Sequence, residues 1–360
     1  MKILTVVGAR PQFVKAAAVS QAVRSSYANV VDEVLVHTGQ HYDENMSAVF
    51  FDELEIPKPR YNLAIAGGNH GAMTGRMLGA LEDVLIAEHP DWVLVYGDTN
   101  STLAGVLAAA KLHLPVAHVE AGLRSFNMRM PEEINRIVAD RLSNLLFCPT
   151  EGAVRNLAME ARTQGVHNVG DVMWDIVLRF KDRARRTSNV LQQHQLIPKG
   201  YVLVTCHRAE NTDDVVRLNE ILSAFAELAT RMPVVFPVHP RSRKLIDAFG
   251  LSALLGNVKV IEPQPFLDML ALEQDAAVIC TDSGGMQKEA FFLGVPCVTT
   301  RDETEWTETV ELGANQLAGC SRETIVSAIT AALSTRPQPE QASPYGNGKA
   351  SEAIIATLVG

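Results

Sequence analysis

The sequence has little of what disulfide scaffolds, metal sites and membrane proteins require. Its five cysteines are odd in number, show no Cys-x-x-Cys spacing and mostly lie in or beside apolar runs, so we expect reduced, buried thiols. No predicted helix carries a His-x-x-x-His pair, and we expect no required metal. No apolar run approaches the ~18 residues of a membrane span.

Positive charge is also scarce. The chain holds 32 Lys and Arg residues against 41 Asp and Glu residues, a net charge of −9 with neutral histidines. Because nucleic-acid phosphates are bound by basic surfaces, this balance argues against a nucleic-acid partner. The chain runs from Met1 directly into a predicted strand, without the basic and apolar segments of a secretory signal, so we expect a cytoplasmic location.

Length and alternation predict two α/β domains. The 360 residues suit about two globular domains of roughly 150 residues each. In both halves, short apolar runs alternate with longer segments of helical period, which predicts parallel sheets covered by helices on both faces. The polar stretch 183–195 and Pro198-Lys199-Gly200 predict the boundary. We expect domains at 1–185 and 198–345, and a last helical segment, 346–360, that packs back on the first domain.

Carboxylates mark the first half. Asp98 and Glu120 each follow a short apolar run, and the pair Glu132 and Glu133 comes shortly after. Open α/β sheets bind ligands in the crevice at the carboxyl ends of their strands, so we expect these side chains to converge there and to transfer protons. Glu133 has a simpler interpretation, as a solvated residue that stabilises the dipole of a helix start.

The first predicted strand-to-helix turn, Gly8-Ala9-Arg10-Pro11-Gln12-Phe13-Val14-Lys15, is a candidate anion site. A helix N-terminus offers unbonded N–H groups and positive potential, and Arg10 and Lys15 add charge that suits a diphosphate. The turn is equally compatible with an ordinary connection carrying two solvated cations. It matches neither Gly-x-Gly-x-x-Gly nor the P-loop, which disfavours nicotinamide and Walker-type nucleotide binding.

A second candidate diphosphate site is Asp282-Ser283-Gly284-Gly285, between a predicted strand and a predicted helix. The glycines let the backbone approach a ligand, and the hydroxyl can bond to it. Glu289, nearly two helical turns further on, can reach a ribose. A simple helix cap at Asp282 or Ser283 is the alternative.

His207, Arg208 and His239 follow predicted strands of the second half. At strand ends that face one cleft, such side chains can clamp a phosphate or supply an acid. Any single histidine is also compatible with a structural role.

Taken together, the motifs resemble the non-hydrolysing UDP-N-acetylglucosamine 2-epimerase family over nearly the whole chain. They are Gly8–Lys15, Thr38-Gly39-Gln40-His41, Gly97-Asp98-Thr99, His118–Arg124, Pro131-Glu132-Glu133, His207-Arg208, and Asp282–Gly285 with Glu289. The resemblance implies two Rossmann-like, doubly wound α/β domains of GT-B type with a UDP-sugar in the cleft between them. It also implies a homodimer that uses no nicotinamide or essential metal.

The resemblance further implies a reaction. Family members eliminate UDP from the anomeric carbon while the C2 proton is removed, which gives a 2-acetamidoglucal, and then re-add UDP with C2 protonated on the other face. Asp98, Glu120 and Glu132 would transfer protons, and His207 would assist UDP departure and return. The candidate substrate ligands are Arg10, Lys15, Arg208, His239, Ser283, Gly284, Gly285 and Glu289.

Departures from the family pattern bear on regulation and substrate. Many members open with Gly-Thr-Arg-Pro-Glu, whereas this chain has Ala9 and Gln12 in that motif. Effector-regulated members carry Arg and Gln in the region of 66–71, so we do not expect allosteric activation by UDP-N-acetylglucosamine. Segments 125–128 and 303–306 resemble the branch acting on UDP-2,3-diacetamido-2,3-dideoxyglucuronate, an O-antigen precursor. The competing interpretations are a GT-B glycosyltransferase and a UDP-sugar-binding protein without catalysis.

Overall fold

The computed structural model describes residues 1–40, 53–334 and 343–360 and contains two compact units. Unit 1 comprises Met1–Leu178 with Ala342–Gly360, and unit 2 comprises Arg179–Gln341. His41 of the motif Thr38-Gly39-Gln40-His41 lies outside the described residues.

A parallel sheet forms the centre of unit 1. Its strands are β1 (Lys2–Val7), β2 (Asp32–His37), β3 (Tyr61–Asn62), β4 (Trp92–Tyr96), β5 (Val116–Val119), β6 (Leu145–Cys148) and β7 (Val166–Asn168). Within the described residues they form one sheet in the order β3-β2-β1-β4-β5-β6-β7, with every neighbouring pair parallel. The central strands are short and buried on both faces, as a sheet covered by helices requires.

Helices connect these strands. They are α1 (Arg10–Ala22), α2 (His70–Glu88), α3 (Asn100–Lys111), α4 (Pro131–Leu142), α5 (Glu151–Met159) and α6 (Val172–Thr187). A π-helical turn, Val23–Tyr27, extends α1. The helix starts agree with local sequence: the Thr99 hydroxyl accepts from the Thr102 N–H to cap α3, and α4 begins at a proline.

Unit 2 repeats this architecture. Its strands are β8 (Val202–Val204), β9 (Val234–Pro237), β10 (Lys259–Ile261), β11 (Val278–Thr281), β12 (Cys297–Thr299) and β13 (Asn315–Leu317). They form a parallel sheet in the order β10-β9-β8-β11-β12-β13. The helices are α7 (Val190–Gln193), α8 (Ala209–Thr212), α9 (Val215–Leu228), α10 (Pro240–Ala248), α11 (Phe266–Asp275), α12 (Gly284–Phe292), α13 (Thr307–Glu311) and α14 (Arg322–Ser334). The predicted class, α/β with two parallel-sheet domains, is confirmed.

The last helix, α15 (Ala350–Val359), belongs to unit 1, where it packs against α1. Asp175 of α6 caps it: the carboxylate accepts from the backbone N–H groups of Ala350 (3.1 Å) and Ser351 (2.7 Å) and from the Ser351 hydroxyl (2.6 Å). Burial raises the pKa of Asp175 against the opposing effect of these bonds. Among the described helices, none is long and apolar enough to cross a membrane.

Candidate active site

The turn after β1 is closed by hydrogen bonds to the side chain of Gln12. The buried Gln12 amide oxygen accepts from the N–H groups of Gly8 (2.8 Å) and Ala9 (3.1 Å), and its NH₂ group donates to the Tyr96 carbonyl (2.8 Å). The N–H groups of Gly8 and Ala9 are therefore bonded within the turn and are not unbonded as expected, while an anion role of Arg10 and Lys15 stays a prediction. Arg10 begins α1, but its side chain lies outside what the structure describes.

The Thr38–Gln40 motif packs against the same turn. The Thr38 hydroxyl lies 2.8 Å from the Ser101 hydroxyl, and the Gln40 side-chain oxygen accepts from the Ser101 N–H and hydroxyl. A Cβ at Gly8 would lie 2.1 Å from both hydroxyl oxygens, so only glycine fits there. The motif therefore shapes this sheet edge through side-chain hydrogen bonds to Ser101 that lie close against Gly8.

Lys15 and Glu120 form an ion pair at the carboxyl edge of the sheet. Glu120 directly follows β5, adopts a positive φ of 71°, and is 8% exposed. Gly97, after the neighbouring strand β4, also has a positive φ of 59°, and a Cβ there would lie 3.1 Å from the Glu120 carboxylate and 3.2 Å from the Lys15 ammonium. The absence of a side chain at Gly97 thus makes room for the pair.

Asp98 is paired with Arg136 of α4, whose Nη2 lies 2.6 Å from the Asp98 carboxylate. The Nη1 atom of Arg136 donates to Glu133 at 2.9 Å. Glu133 also accepts from the N–H groups of Ser125 (2.9 Å) and Phe126 (3.0 Å) and from the Ser125 hydroxyl (3.0 Å).

Glu133 is only 1% exposed, so its interpretation as a solvated residue is wrong: the loop 125–126 folds over it. Burial opposes the charged form, but these hydrogen bonds and Arg136 outweigh it and lower the pKa of Glu133. The neighbouring Glu132 is half-buried, and its side chain makes no hydrogen bond or ion pair with any other described residue. The adjacent glutamates therefore have different environments, and the unengaged one is the predicted proton-transfer group.

His118 of β5 lies beneath the two strand ends and is fully buried. Its Nε2 is 2.7 Å from the Gly97 carbonyl oxygen, and its Nδ1 is 2.7 Å from the Asp140 carboxylate. Asp140 also accepts from Arg124 Nη1 (2.7 Å), and Arg124 continues to Glu160 through two further bonds. Burial raises the pKa of Asp140, but His118 and Arg124 oppose this and lower it overall.

In unit 2, His207 follows β8 and is paired with Asp282, which follows the neighbouring strand β11. The His207 Nδ1 lies 3.1 Å from Asp282 Oδ1, and the other carboxylate oxygen accepts from the N–H groups of His207 (2.8 Å) and Arg208 (2.9 Å). Burial opposes the ionised form of Asp282, yet His207 and these bonds lower its pKa to about 2. The side chain of His207 is 43% exposed, so a ligand can reach it.

The start of α12 retains unbonded donors. The Ser283 hydroxyl accepts from the Met286 N–H, which makes Ser283 the N-cap, as the alternative interpretation predicts. The N–H groups of Gly284 and Gly285 donate to no acceptor in the part of the chain that the structure describes. A helix N-terminus with unbonded N–H groups is the kind of site that binds anions, so the diphosphate role of this segment stays a prediction.

Charged side chains surround this helix start. A Cβ at Gly284 would lie 2.6 Å from Glu305, so that carboxylate lies directly against it. Arg208 Nη2 lies 3.5 Å from one oxygen of Glu305, and the buried Arg301 lies 2.9 Å from the other. Glu289 is half-buried further along α12.

His239 is an exposed N-cap of α10, with its Nδ1 accepting from the Arg241 N–H at 3.2 Å. This bond is a structural function, so a ligand role for His239 stays a prediction. The five cysteines are unpaired, and burial raises the pKa of Cys206 well above its usual range, which argues against a nucleophile. The described residues contain no group of three side chains suited to a metal ion.

Sequence reasoning identified the carboxylates but missed their partners. The motifs do not point to Arg136 or Asp140, and they indicate Glu305 only as part of segment 303–306. Lys15, a candidate diphosphate ligand, contacts Glu120. The sequence indicates Asp282 as part of a diphosphate loop or as a helix cap, whereas the structure pairs it with His207.

Comparisons with known proteins identify the family of the chain. The profile of the family described as UDP-N-acetylglucosamine 2-epimerase matches residues 24–359. The chain is 53% identical, over 99% of both chains, to the UDP-2,3-diacetamido-2,3-dideoxy-D-glucuronate 2-epimerase of Pseudomonas aeruginosa. It is similar to the structure of Methanocaldococcus jannaschii UDP-GlcNAc 2-epimerase in complex with UDP-GlcNAc and UDP, with 43% identity, 99% of each chain covered and a TM-score of 0.93. The Neisseria meningitidis UDP-GlcNAc 2-epimerase bound to UDP-GlcNAc gives 33% identity, full coverage of both chains and a TM-score of 0.89.

The resemblance seen in the motifs is thereby confirmed, and the chain belongs to the UDP-N-acetylglucosamine 2-epimerase family.

Proposed function

We propose that this protein is a non-hydrolysing 2-epimerase of a UDP-linked, N-acetylated sugar. The observation that carries the proposal is 53% identity over 99% of both chains to an enzyme named for that reaction on UDP-2,3-diacetamido-2,3-dideoxy-D-glucuronate. That sugar is the first substrate to test, with UDP-N-acetylglucosamine, named for the 43% identical relative, as the second.

Unit 1 supplies the proton chemistry in this proposal. Asp98 and Glu120 follow adjacent strands, and each contacts a cation, Arg136 or Lys15. A carboxylate beside a cation suits the role of a base that accepts the C2 proton. Glu132, which is half-buried and unengaged among the described residues, suits proton return on the other face of the sugar.

Unit 2 supplies the leaving-group chemistry. Asp282 holds the Nδ1 side of His207, which leaves Nε2 for the diphosphate oxygen that departs from the anomeric carbon. The N–H groups of Gly284 and Gly285 would receive the diphosphate charge, with Arg208 beside them, and Glu289 would bind the ribose. Elimination breaks the C1–O and C2–H bonds together with formation of the C1–C2 double bond, and re-addition reverses this with the proton delivered to the other face.

The experiment is deuterium exchange without acceptor. Each UDP-sugar is incubated with the enzyme in D₂O, and deuterium at C2 is read by NMR together with the appearance of the manno epimer. Exchange with no added acceptor supports the epimerase. No exchange with either sugar would contradict it, transfer that requires an acceptor would indicate a glycosyltransferase, and release of free sugar with UDP would indicate a hydrolysing enzyme.

Variants assign the carboxylates. Asp98→Asn and Glu120→Gln are each expected to lower the exchange rate roughly 10²–10⁴-fold, the usual contribution of a proton-transfer group. Asp83→Asn, which changes an exposed carboxylate on α2 of the same unit, is the matched control and is expected to keep the full rate. Unimpaired exchange in the Asp98 or Glu120 variant would refute that assignment.

We further propose, from the family resemblance, a homodimer that makes a precursor of a bacterial surface polysaccharide in the cytoplasm. The dimer is tested by light scattering.

A further inference from the structure

We propose that His118 is a positioning residue, held as an imidazolium ion, that fixes the Gly97-Asp98 peptide beside Glu120. Its task in catalysis rests on the function proposed above, whereas its charge state does not.

The hydrogen-bond partners define the protons on the ring. Nε2 lies 2.7 Å from the carbonyl oxygen of Gly97, which can only accept, so Nε2 carries a hydrogen. Nδ1 lies 2.7 Å from an oxygen of Asp140. A neutral imidazole has a single N–H group, so a proton between Nδ1 and Asp140 must belong either to a doubly protonated ring or to the carboxylic acid.

The surroundings of Asp140 favour the imidazolium. The second oxygen of Asp140 accepts from Arg124 Nη1 at 2.7 Å and from the Gly122 N–H at 3.1 Å, which suits an ionised carboxylate. Arg124 in turn binds Glu160 through two bonds of 2.7 and 2.8 Å. Charges alternate along the row from His118 to Glu160, so the buried cation is compensated.

The hydrogen bond from His118 Nε2 to the Gly97 carbonyl acts between the two candidate bases, Asp98 and Glu120. Gly97 is held at both ends, because its N–H donates to the Val119 carbonyl at 3.0 Å and its carbonyl accepts from His118. Its positive φ of 59° turns the chain into Asp98, and its Cα lies against Glu120. The imidazolium therefore ties the end of β4 to β5 and sets the spacing of Asp98 and Glu120, with a charge-assisted bond that a neutral ring would make less strongly.

The proton count is tested directly by NMR. In enzyme labelled with ¹⁵N-histidine, in slightly alkaline buffer, one of the ten imidazoles is expected to show N–H signals on both nitrogens. Loss of one of these signals in Asp140→Asn assigns them to His118. A His118 ring with a single N–H would overturn the proposal, whatever the enzyme's activity.

Kinetics test the positioning role. His118→Gln retains a donor toward Gly97 but no charge, and is expected to lower kcat roughly 10–100-fold with little change in KM, because small displacements of reacting groups have effects of that size. Asp140→Asn is expected to lower kcat by a similar factor. The double variant His118→Gln/Asp140→Asn is expected to lower kcat no further than the more impaired single variant, because both substitutions disrupt the same His118–Asp140 hydrogen bond.

His113→Asn is the matched control, because His113 is exposed and its positive φ of 58° suits Asn. Unchanged kcat in His118→Gln, or losses that multiply in the double variant, would refute the positioning role. If the wild-type enzyme catalysed no exchange, the proposed function would fail while the NMR result still decided the charge of His118.

Discussion

Replacement of the adjacent residues Glu132 and Glu133 by glutamine is expected to have different effects. Glu133→Gln should lower the stability of the fold, whereas Glu132→Gln should lower the rate of deuterium exchange. Glu133 accepts four hydrogen bonds, from Ser125 (two), Phe126 and Arg136, and is buried. A glutamine has one acceptor and one donor group, so Glu133→Gln turns an NH₂ group toward a buried donor and removes the charge that faces Arg136. Glu132→Gln changes a half-buried side chain with no described partner.

The magnitudes follow from those contacts. Losing one charge-assisted hydrogen bond costs about 1.5–3 kcal/mol, and a buried donor without an acceptor about 1–3 kcal/mol. Glu133→Gln is therefore expected to lower the free energy of unfolding by roughly 3–5 kcal/mol at neutral pH. Glu132→Gln is expected to change it by less than about 0.5 kcal/mol, while slowing deuterium exchange roughly 10²–10⁴-fold.

The pH dependence of the unfolding free energy gives a second test of the role of Glu133. Its pKa is lowered in the folded state, so its stabilising contribution is present above the unfolded value of about 4.3 and is lost as pH falls through the folded value. The difference in the free energy of unfolding between the wild type and Glu133→Gln should therefore become smaller as the pH falls. Urea unfolding followed by circular dichroism at several pH values measures it. A Glu133→Gln variant as stable as wild type, or an equally destabilised Glu132→Gln, would refute the reasoning.

Two further predictions concern unit 2. Gly284→Ala places a Cβ 2.6 Å from the Glu305 carboxylate and is expected to weaken UDP binding at least about 10-fold by calorimetry, whereas Gly285→Ala, whose Cβ meets nothing closer than 3.8 Å, keeps it. The lowered pKa of Asp282, about 2 against 3.8, corresponds to roughly 2 kcal/mol of stability that is present above about pH 4 and lost as pH falls toward 2. Thermal unfolding of Asp282→Asn should lack that acid-dependent loss, and a variant that kept it would contradict the assignment.

Local sequence was sufficient to predict where the candidate carboxylates lie. Asp98 and Glu120 each follow an apolar run, and parallel strands bring their carboxyl ends to one edge, so both side chains were predictable at that edge. Chain order alone does not decide which strands are neighbours, since β3 and β4 are consecutive but separated by β2 and β1. Their partners were not predictable in this way. Lys15 contacts a residue 105 positions away, and the contact of Asp98 with Arg136 depends on how α4 packs.

The two predicted anion sites show a further limit of prediction from local sequence. Both are strand-to-helix turns with positive potential, and the difference lies in what the local side chains do. Gln12 folds back to accept from Gly8 and Ala9, while in α12 the N–H groups of the two glycines donate to no described acceptor. Gln12 also donates to the Tyr96 carbonyl and to the Thr102 hydroxyl, and these bonds to distant residues fix it there in a way that local sequence does not reveal.

The capping of α15 by Asp175 has a consequence for synthesis of the chain. Unit 2 is contiguous, but unit 1 needs residues that the ribosome adds only after unit 2 has been made. Until then, the face of α1 that receives α15 is uncovered, and the Asp175 carboxylate has no helix to cap. Unit 2 can thus finish folding first, although domains generally fold in order from the N-terminus. Of the two units, the one whose strands are translated first, and which carries the candidate proton-transfer groups, is the one completed last.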